Sequence, residues 1–263
     1  MCGTCGCGTD GNSPVILKPK KHDHQHEHDH DHQHDHSHSH NHSHNHDHKH
    51  KVLKIEQDIL QINQFLASRN RGYFEAKNIF ALNLVSSPGS GKTSILEKTL
   101  KDLKNDMSFY VIEGDQQTFN DANRIDALHI PVIQINTGKG CHLESDMVYD
   151  AVKQLEIKND SILMIENVGN LVCPSMFDLG ENKRVVIIST PEGEDKPIKY
   201  PDMFHTADIC IINKIDLLPY LNVDLEKLKQ YAFQVNPNLQ FFEVSAITGE
   251  GMQEWYHWLK CNI

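Results

Sequence analysis

The chain lacks any apolar run near the roughly 20 residues needed to cross a bilayer, and its polar N-terminus shows no signal-peptide pattern. It is also short of positive charge. Against 36 Asp and Glu stand 25 Lys and Arg, a formal charge of −11 with histidine neutral. A nucleic-acid surface is normally basic, so that class of partner is excluded. The seven cysteines do not read as a disulfide framework in a chain that also carries a nucleotide-binding loop; they point to a reducing compartment and to metal chemistry. The expectation is a cytoplasmic protein without a membrane or nucleic-acid partner. Its 263 residues suffice for one large α/β domain plus appendages.

What is present centres on the stretch from Phe80 to Ser94. The apolar run Phe80 to Val85 reads as a buried strand, a tight Ser/Pro/Gly turn follows, and a helix-forming run begins at Thr93. Strand, glycine-rich turn and helix, in that order, are the context of a phosphate-binding loop. Within the candidate phosphate-binding stretch Pro88 to Ser94, the backbone N–H groups around Gly89, Ser90 and Gly91 can point inward at an anion, and the helix N-terminus adds partial positive charge. Lys92 reaches the outer phosphates, and the Thr93 hydroxyl is the expected Mg²⁺ ligand. The first glycine of the G-x-x-x-x-G-K-[ST] pattern is Ser86 here.

Three further segments organise the N-terminal part. Residues 1–8 place Cys2, Cys5 and Cys7 in a glycine-rich stretch where three thiolates converge on one soft or borderline ion. The fourth ligand is left open between the N-terminal amine, a backbone nitrogen and a histidine. Within residues 9–51, every even-numbered position from His22 to His50 is histidine, interleaved with acids, amides, serine and lysine. Such a segment buries no core and is expected to be disordered when unliganded. It is suited to Ni²⁺, Cu²⁺ or Zn²⁺, with an affinity that falls as pH drops through the imidazole pKa of about 6.5. From Val52 to Asn70, Ile55, Ile59, Ile62 and Leu66 fall on one helical face, predicting an amphipathic helix that joins the tail to the domain occupying 52–263.

Continuous Val/Ile/Leu/Phe runs then recur at 108–113, 132–136, 161–166, 184–189, 208–212 and 240–244, with helical spacers between most of them. Runs without polar alternation indicate strands covered on both faces. The expected fold is α/β, a doubly wound and mainly parallel sheet, with ligands at the carboxyl ends of the strands.

Asn213-Lys214-Ile215-Asp216 closes one of these runs. The Asp216 carboxylate matches the ring N–H and exocyclic amino group of guanine, a donor pair that adenine lacks. Lys214 covers the base face, and Asn213 ties this loop to the phosphate loop. Ser245-Ala246 resembles the loop that offers a backbone N–H to guanine O6. Asp115 and Glu166 end strands nearer the phosphates, where they would hold Mg²⁺ or its waters and orient the attacking water; with Lys92 they are the candidate catalytic residues. Cys141, His142 and Cys173 lie on loops that leave the same side of the sheet, and two thiolates with an imidazole suit Zn²⁺ or Ni²⁺. A two-fold axis would unite six such ligands, so a nucleotide-linked homodimer is expected.

Taken together, Cys2-x-x-Cys5-Gly-Cys7, the histidine-rich insert, Ser-Pro-Gly-Ser-Gly-Lys92-Thr93, Glu113-Gly-Asp115, Cys141-His142, Glu166-Asn-Val-Gly-Asn-Leu-Val-Cys173 and Asn213-Lys-Ile-Asp216 resemble the hydrogenase-maturation nickel-insertion GTPases, the HypB family of the SIMIBI class of P-loop proteins. The resemblance spans essentially the whole chain. It implies GTP hydrolysis coupled to Ni²⁺ delivery into the large subunit of [NiFe] hydrogenase, with a small zinc-containing accessory protein as partner. It also implies a high-affinity nickel site on Cys2, Cys5 and Cys7 and a weaker nickel or zinc site on Cys141, His142 and Cys173. Three rivals stand beside it: a urease-type nickel GTPase, which lacks the N-terminal cysteine motif, a nickel-storage protein, and a P-loop small-molecule kinase, which Asn-Lys-x-Asp disfavours.

Overall fold

The computed structural model describes residues 15–17, 45–116 and 120–262, with side chains over 57–116 and 121–262. The expected metal ligands Cys2, Cys5 and Cys7, and the histidines from His22 to His44, lie outside the described residues. The described chain runs β1 (Val15–Leu17), α1 (Asn45–Ala76), β2 (Ile79–Ser86), α2 (Lys92–Leu103), β3 (Phe109–Asp115), α3 (Asn120–Asp126), β4 (Val132–Asn136), α4 (Ser145–Leu155), β5 (Ser161–Gly169) and β6 (Lys183–Ser189). It continues through α5 (Lys196–Lys199), α6 (Pro201–Thr206), β7 (Ile209–Asn213), α7 (Leu225–Val235), β8 (Gln240–Glu243) and α8 (Met252–Cys261).

The strands form one sheet in the order β1-β4-β3-β5-β2-β6-β7-β8. The seven strands from β4 to β8 in that order are parallel, and β1 alone is antiparallel, pairing Ile16 with Ile135. The chain leaves central β2 toward β4, returns through β5, then crosses to β6, so the winding reverses around β2. Ligands of such sheets bind at the carboxyl ends beside that reversal.

Alternate residues of each strand feed opposite faces, both covered, which is why the strands lack a polar alternation; their buried polar residues, such as Glu113, Glu166 and Asn167, fall toward the carboxyl ends. Leu82, Val111, Met164, Ile187 and Ile211 join Ile95 and Leu100 of α2 and Trp255 of α8 on one face. On the other, Ile112, Ile133 and Ile165 meet Phe74 of α1 and Val148 of α4, while Val186 and Ile212 meet Phe204 of α6 and Leu228 of α7.

Two features of the N-terminal part differ from expectation. β1 joins the sheet from within the segment read as histidine-rich and unstructured, and α1 begins at Asn45 rather than Val52, taking in the last of the histidine alternation. Hydrophobic periodicity does not report a three-residue edge strand or a helical turn made of polar residues. The docking face of α1 is also offset. Ile62 is 61% exposed, and Asn63, Ala67, Asn70 and Phe74 are buried instead. The surface beneath offers backbone groups rather than methyls. Asn63 Nδ2 donates to Asp178 O (2.8 Å) and its Oδ1 accepts from Ser145 N (2.9 Å). Asn70 Nδ2 donates to Ser145 O (2.8 Å) and Leu179 O (3.0 Å). Buried backbone groups need such partners, so amides hold this helix where an apolar stripe would have left them unpaired.

Candidate nucleotide and metal sites

β2 delivers the chain to a turn whose left-handed residues are Gly89 (φ 77°) and Gly91 (φ 92°). Ser86, at the position of the missing glycine, is still paired in β2 with Gly169 and Ile187, so an L-residue fits without strain. Gly91 admits no side chain, because a Cβ there would lie 2.3 Å from Asn213 Nδ2. That contact is part of a bracing set. Asn213 Nδ2 donates to Ser90 O (2.9 Å), Lys214 Nζ donates to Gly89 O (2.6 Å), and Ala246 N donates to Asn213 Oδ1 (3.2 Å). The phosphate loop, the Asn213–Asp216 segment and the Ser245–Ala246 loop are thus tied through one amide. Buried Asp216 Oδ1 has no hydrogen-bond partner among the described residues, an orphaned acceptor of the kind that guanine N–H groups would satisfy. From the opposite side, Ser87 Oγ donates to Glu192, which also closes a capping box with Ser189.

Beneath the loop lies a knot of charge. Lys92 Nζ donates to Glu166 Oε1 (2.8 Å) and to Asn167 O, and Thr93 Oγ1 donates to the same Glu166 oxygen (2.6 Å). Burial works against ionisation of Glu166, but the Lys92 ammonium and hydrogen bonds from Glu113, Lys92 and Thr93 outweigh it and hold the carboxyl below its ordinary range. Glu113 goes the other way, pushed well up by burial and by the Glu166 charge. Glu166 Oε2 and Glu113 Oε2 are buried without hydrogen-bond partners among the described residues, and of the two it is the ionised Glu166 whose oxygen suits a hard cation. Asp115 lines the same cleft, together with Asp121 and Arg124.

Beside this cleft, ligand atoms of Cys141, His142 and Cys173 all lie within 4.8 Å of one another, with Cys141 Sγ 3.7 Å from His142 Nδ1. The His142 ring stacks on Phe177 at 3.9 Å, and Glu144 Oε1 stands 3.5 Å from His142 Nε2. Cys173 is buried, while the flanking Val172 and Met176 are 54% and 44% exposed.

The two sites share a segment. Asn167, whose carbonyl accepts from Lys92, uses its side-chain Oδ1 to accept from Leu143 N (3.1 Å), next to His142. Asn170 Nδ2 donates to Cys141 O (3.3 Å), and the same run ends at Cys173. On the other flank Thr137 N donates to Asp115 O (2.9 Å) and Gln116 Nε2 to Gly140 O (3.2 Å). Sequence reasoning missed Glu113, Asn167, Asn170 and Glu192. The first three sit inside the quoted Glu113-Gly-Asp115 and Glu166-to-Cys173 stretches, where the neighbouring charged and thiol residues drew the reading; nothing in the local sequence marks Glu192.

Comparison with known proteins agrees with this geometry. Residues 80–243 match the family profile described as CobW/HypB/UreG, nucleotide-binding domain. The hydrogenase maturation factor HypB of Escherichia coli (strain K12) is 54% identical over 210 residues, covering 80% of this chain and 72% of that protein. The crystal structure of hydrogenase maturation factor HypB from Archaeoglobus fulgidus superposes with a TM-score of 0.71 at 38% identity, over 76% of this chain and 98% of that one. HypB from Helicobacter pylori, crystallised in complex with nickel, gives 0.72 at 38% identity over 75% and 93%.

Proposed function

The chain belongs to the CobW/HypB/UreG nucleotide-binding family, as a hydrogenase maturation factor of the HypB type, and from that premise we propose that it hydrolyses GTP to control the capture and release of Ni²⁺ destined for [NiFe] hydrogenase. In this reading Pro88 to Ser94 cradle the phosphates, Asn213, Lys214 and Asp216 with Ser245 and Ala246 hold the guanine, and Lys92 neutralises charge that develops on the outer phosphates. Asp115 and Glu166 orient the attacking water. Thr93, Asp115 and Glu166 would hold Mg²⁺, which when bound supplies further charge stabilisation for phosphoryl transfer. The Cys141, His142 and Cys173 cluster takes Ni²⁺ or Zn²⁺ as cargo, and Cys2, Cys5 and Cys7 make a second nickel site. With three ligands among the described residues of one chain, the cluster is completed across a homodimer or by the receiving accessory protein.

The observation that carries this reading is the link from Lys92 through Asn167 to Leu143. Phosphate oxygens compete with Glu166 and Asn167 for the Lys92 ammonium. When Lys92 turns to them, the run from Glu166 to Cys173 loses one of its anchors, and both halves of the metal cluster hang on that run. The test is Ni²⁺ transfer to the zinc-containing accessory protein with GTP, with GDP and without nucleotide, from wild type and from Cys141→Ala. Nucleotide-dependent transfer that is lost in the variant supports the reading; transfer indifferent to nucleotide overturns it.

The histidine alternation favours a second, storage role. Deleting residues 18–44 spares β1 and α1. A delivery GTPase so shortened still supports hydrogenase in nickel-replete cells, whereas a storage protein loses its purpose.

A further inference from the structure

At the far edge of the sheet from the cluster, α8 packs beside β8 and α2 and turns a polar stripe outward. Glu254, His257 and Cys261 occupy it at spacings of three and four, which stacks them along one helical face. All three are exposed. His257 and Cys261 face each other: Cys261 Sγ lies 3.5 Å from His257 Nε2 and 4.0 Å from Nδ1. Glu254 makes no ion pair or side-chain hydrogen bond among the described residues; its carboxylate does not gather with the pair as the ligand atoms of Cys141, His142 and Cys173 do, and it reaches an ion there by a change of rotamer of an exposed side chain.

We propose that His257 and Cys261, with Glu254 as the third ligand, form an exposed binding site for a borderline divalent ion, Zn²⁺ or Ni²⁺, separate from the nucleotide-linked cluster. The geometry fits the ion's bite. Bonds of about 2.3 Å to sulfur and about 2.1 Å to nitrogen, at a tetrahedral angle, set the two ligand atoms about 3.6 Å apart. The observed 3.5 Å matches that separation, and Cys141 Sγ to His142 Nδ1 in the buried cluster is a similar 3.7 Å; because Sγ also lies 4.0 Å from Nδ1, it sits beside the ring, and a turn of the exposed imidazole aims Nε2 at a shared ion. Helical residues four apart hold such a pair without a loop rearrangement, so little ordering entropy opposes binding.

Its setting gives the site a different character from the cluster. Its ligands are open to solvent, and although α8 packs on α2, neither His257 nor Cys261 has a hydrogen bond to Lys92, Glu166 or the run from Glu166 to Cys173 among the described residues. The ion therefore exchanges freely, and binding does not depend on nucleotide. Three protein ligands with solvent in the remaining position make an entry or hand-off point rather than a structural lock.

Peptide-resolved alkylation tests this on the full chain, where the many other histidines do not interfere with the readout. The thiolate is the species that reacts, and a metal on it blocks the reaction. With Zn²⁺ in excess over the histidine segment, Cys261 should alkylate at least about tenfold more slowly than with a chelator, equally with GTP or GDP. In His257→Ala that protection should vanish while protection of Cys141 and Cys173 persists. Glu254→Gln should raise the Zn²⁺ concentration for half-protection by about threefold to tenfold. A Cys261 rate indifferent to Zn²⁺, or protection undiminished in His257→Ala, overturns the proposal. Neither result bears on the nucleotide-linked cluster, whose own cysteines are read in the same experiment.

Discussion

The two sides of the phosphate loop are built differently. On the base side, one amide, Asn213, and one ammonium, Lys214, are bonded directly to the loop's backbone, with Gly91 closed against Asn213. On the metal side, Lys92 reaches the cluster through the carbonyl and side chain of Asn167, and the run ends among exposed Val172 and Met176. The first arrangement has no slack and suits recognition. The second hangs on charge pairing that a phosphate can displace, and suits response. The proposed function, selecting a base and signalling its phosphates, calls for one of each.

The largest effect is expected where the rigid side is broken. Gly91→Ala forces a Cβ into Asn213 at a left-handed φ, and GTP affinity should fall by on the order of 100-fold or more. Zinc binding at Cys141, His142 and Cys173, followed by metal-protected alkylation, should survive. Next, Asp216→Asn removes the orphaned acceptor. The preference for GTP over ATP in competition binding should drop by on the order of 100-fold, with phosphate contacts intact. The comparison sharpens further from the metal side, where α1 braces the loops that precede and follow the cluster. Asn70→Ala strips two buried hydrogen bonds and should cost about 1–3 kcal/mol in denaturant unfolding, with little change in GTP affinity.

The smallest effect comes from the Arg71–Asp178 pair, 2.9 Å apart on the outer margin of the same contact. Burial of Asp178 opposes ionisation, but hydrogen bonds from Arg71 and the Gly180 N–H prevail and lower its pKa. A lowered folded pKa means the pair stabilises above the ordinary carboxylate range, and the contribution is lost as pH falls through it. Because both groups are partly solvated, the contribution is under about 1 kcal/mol. The gap in unfolding midpoint between wild type and Asp178→Asn should therefore shrink between neutral pH and about pH 3.

Much of this was legible in the residues. The parallel strands are apolar runs because both faces are covered, and the run 132–136 has the same bounds in the structure as in the sequence. The phosphate loop and the Asn213–Asp216 segment carry chemistry that few residues can replace. Contacts supplied by distant backbone were not legible. Asn63 and Asn70 read as solvent-facing until the 145 and 178–179 segments are placed beneath them. Asn167 carries no charge to draw the eye, and its role exists only because β5 runs between β3 and β2. The short α5 and α6 lie in a proline-interrupted stretch too brief to show helical periodicity.

The most direct test of the proposed response is the Ni²⁺ affinity of the cluster, read by thiolate-to-nickel charge transfer in a chain with Cys2, Cys5 and Cys7 replaced by alanine. Affinities with GDP and with a non-hydrolysable GTP analogue should differ by about tenfold, within the usual range of coupling between sites. In Asn167→Ala that ratio should fall to near one, while each ligand alone still binds. Equal affinities in the parent chain, or an undiminished ratio in the variant, would contradict the account.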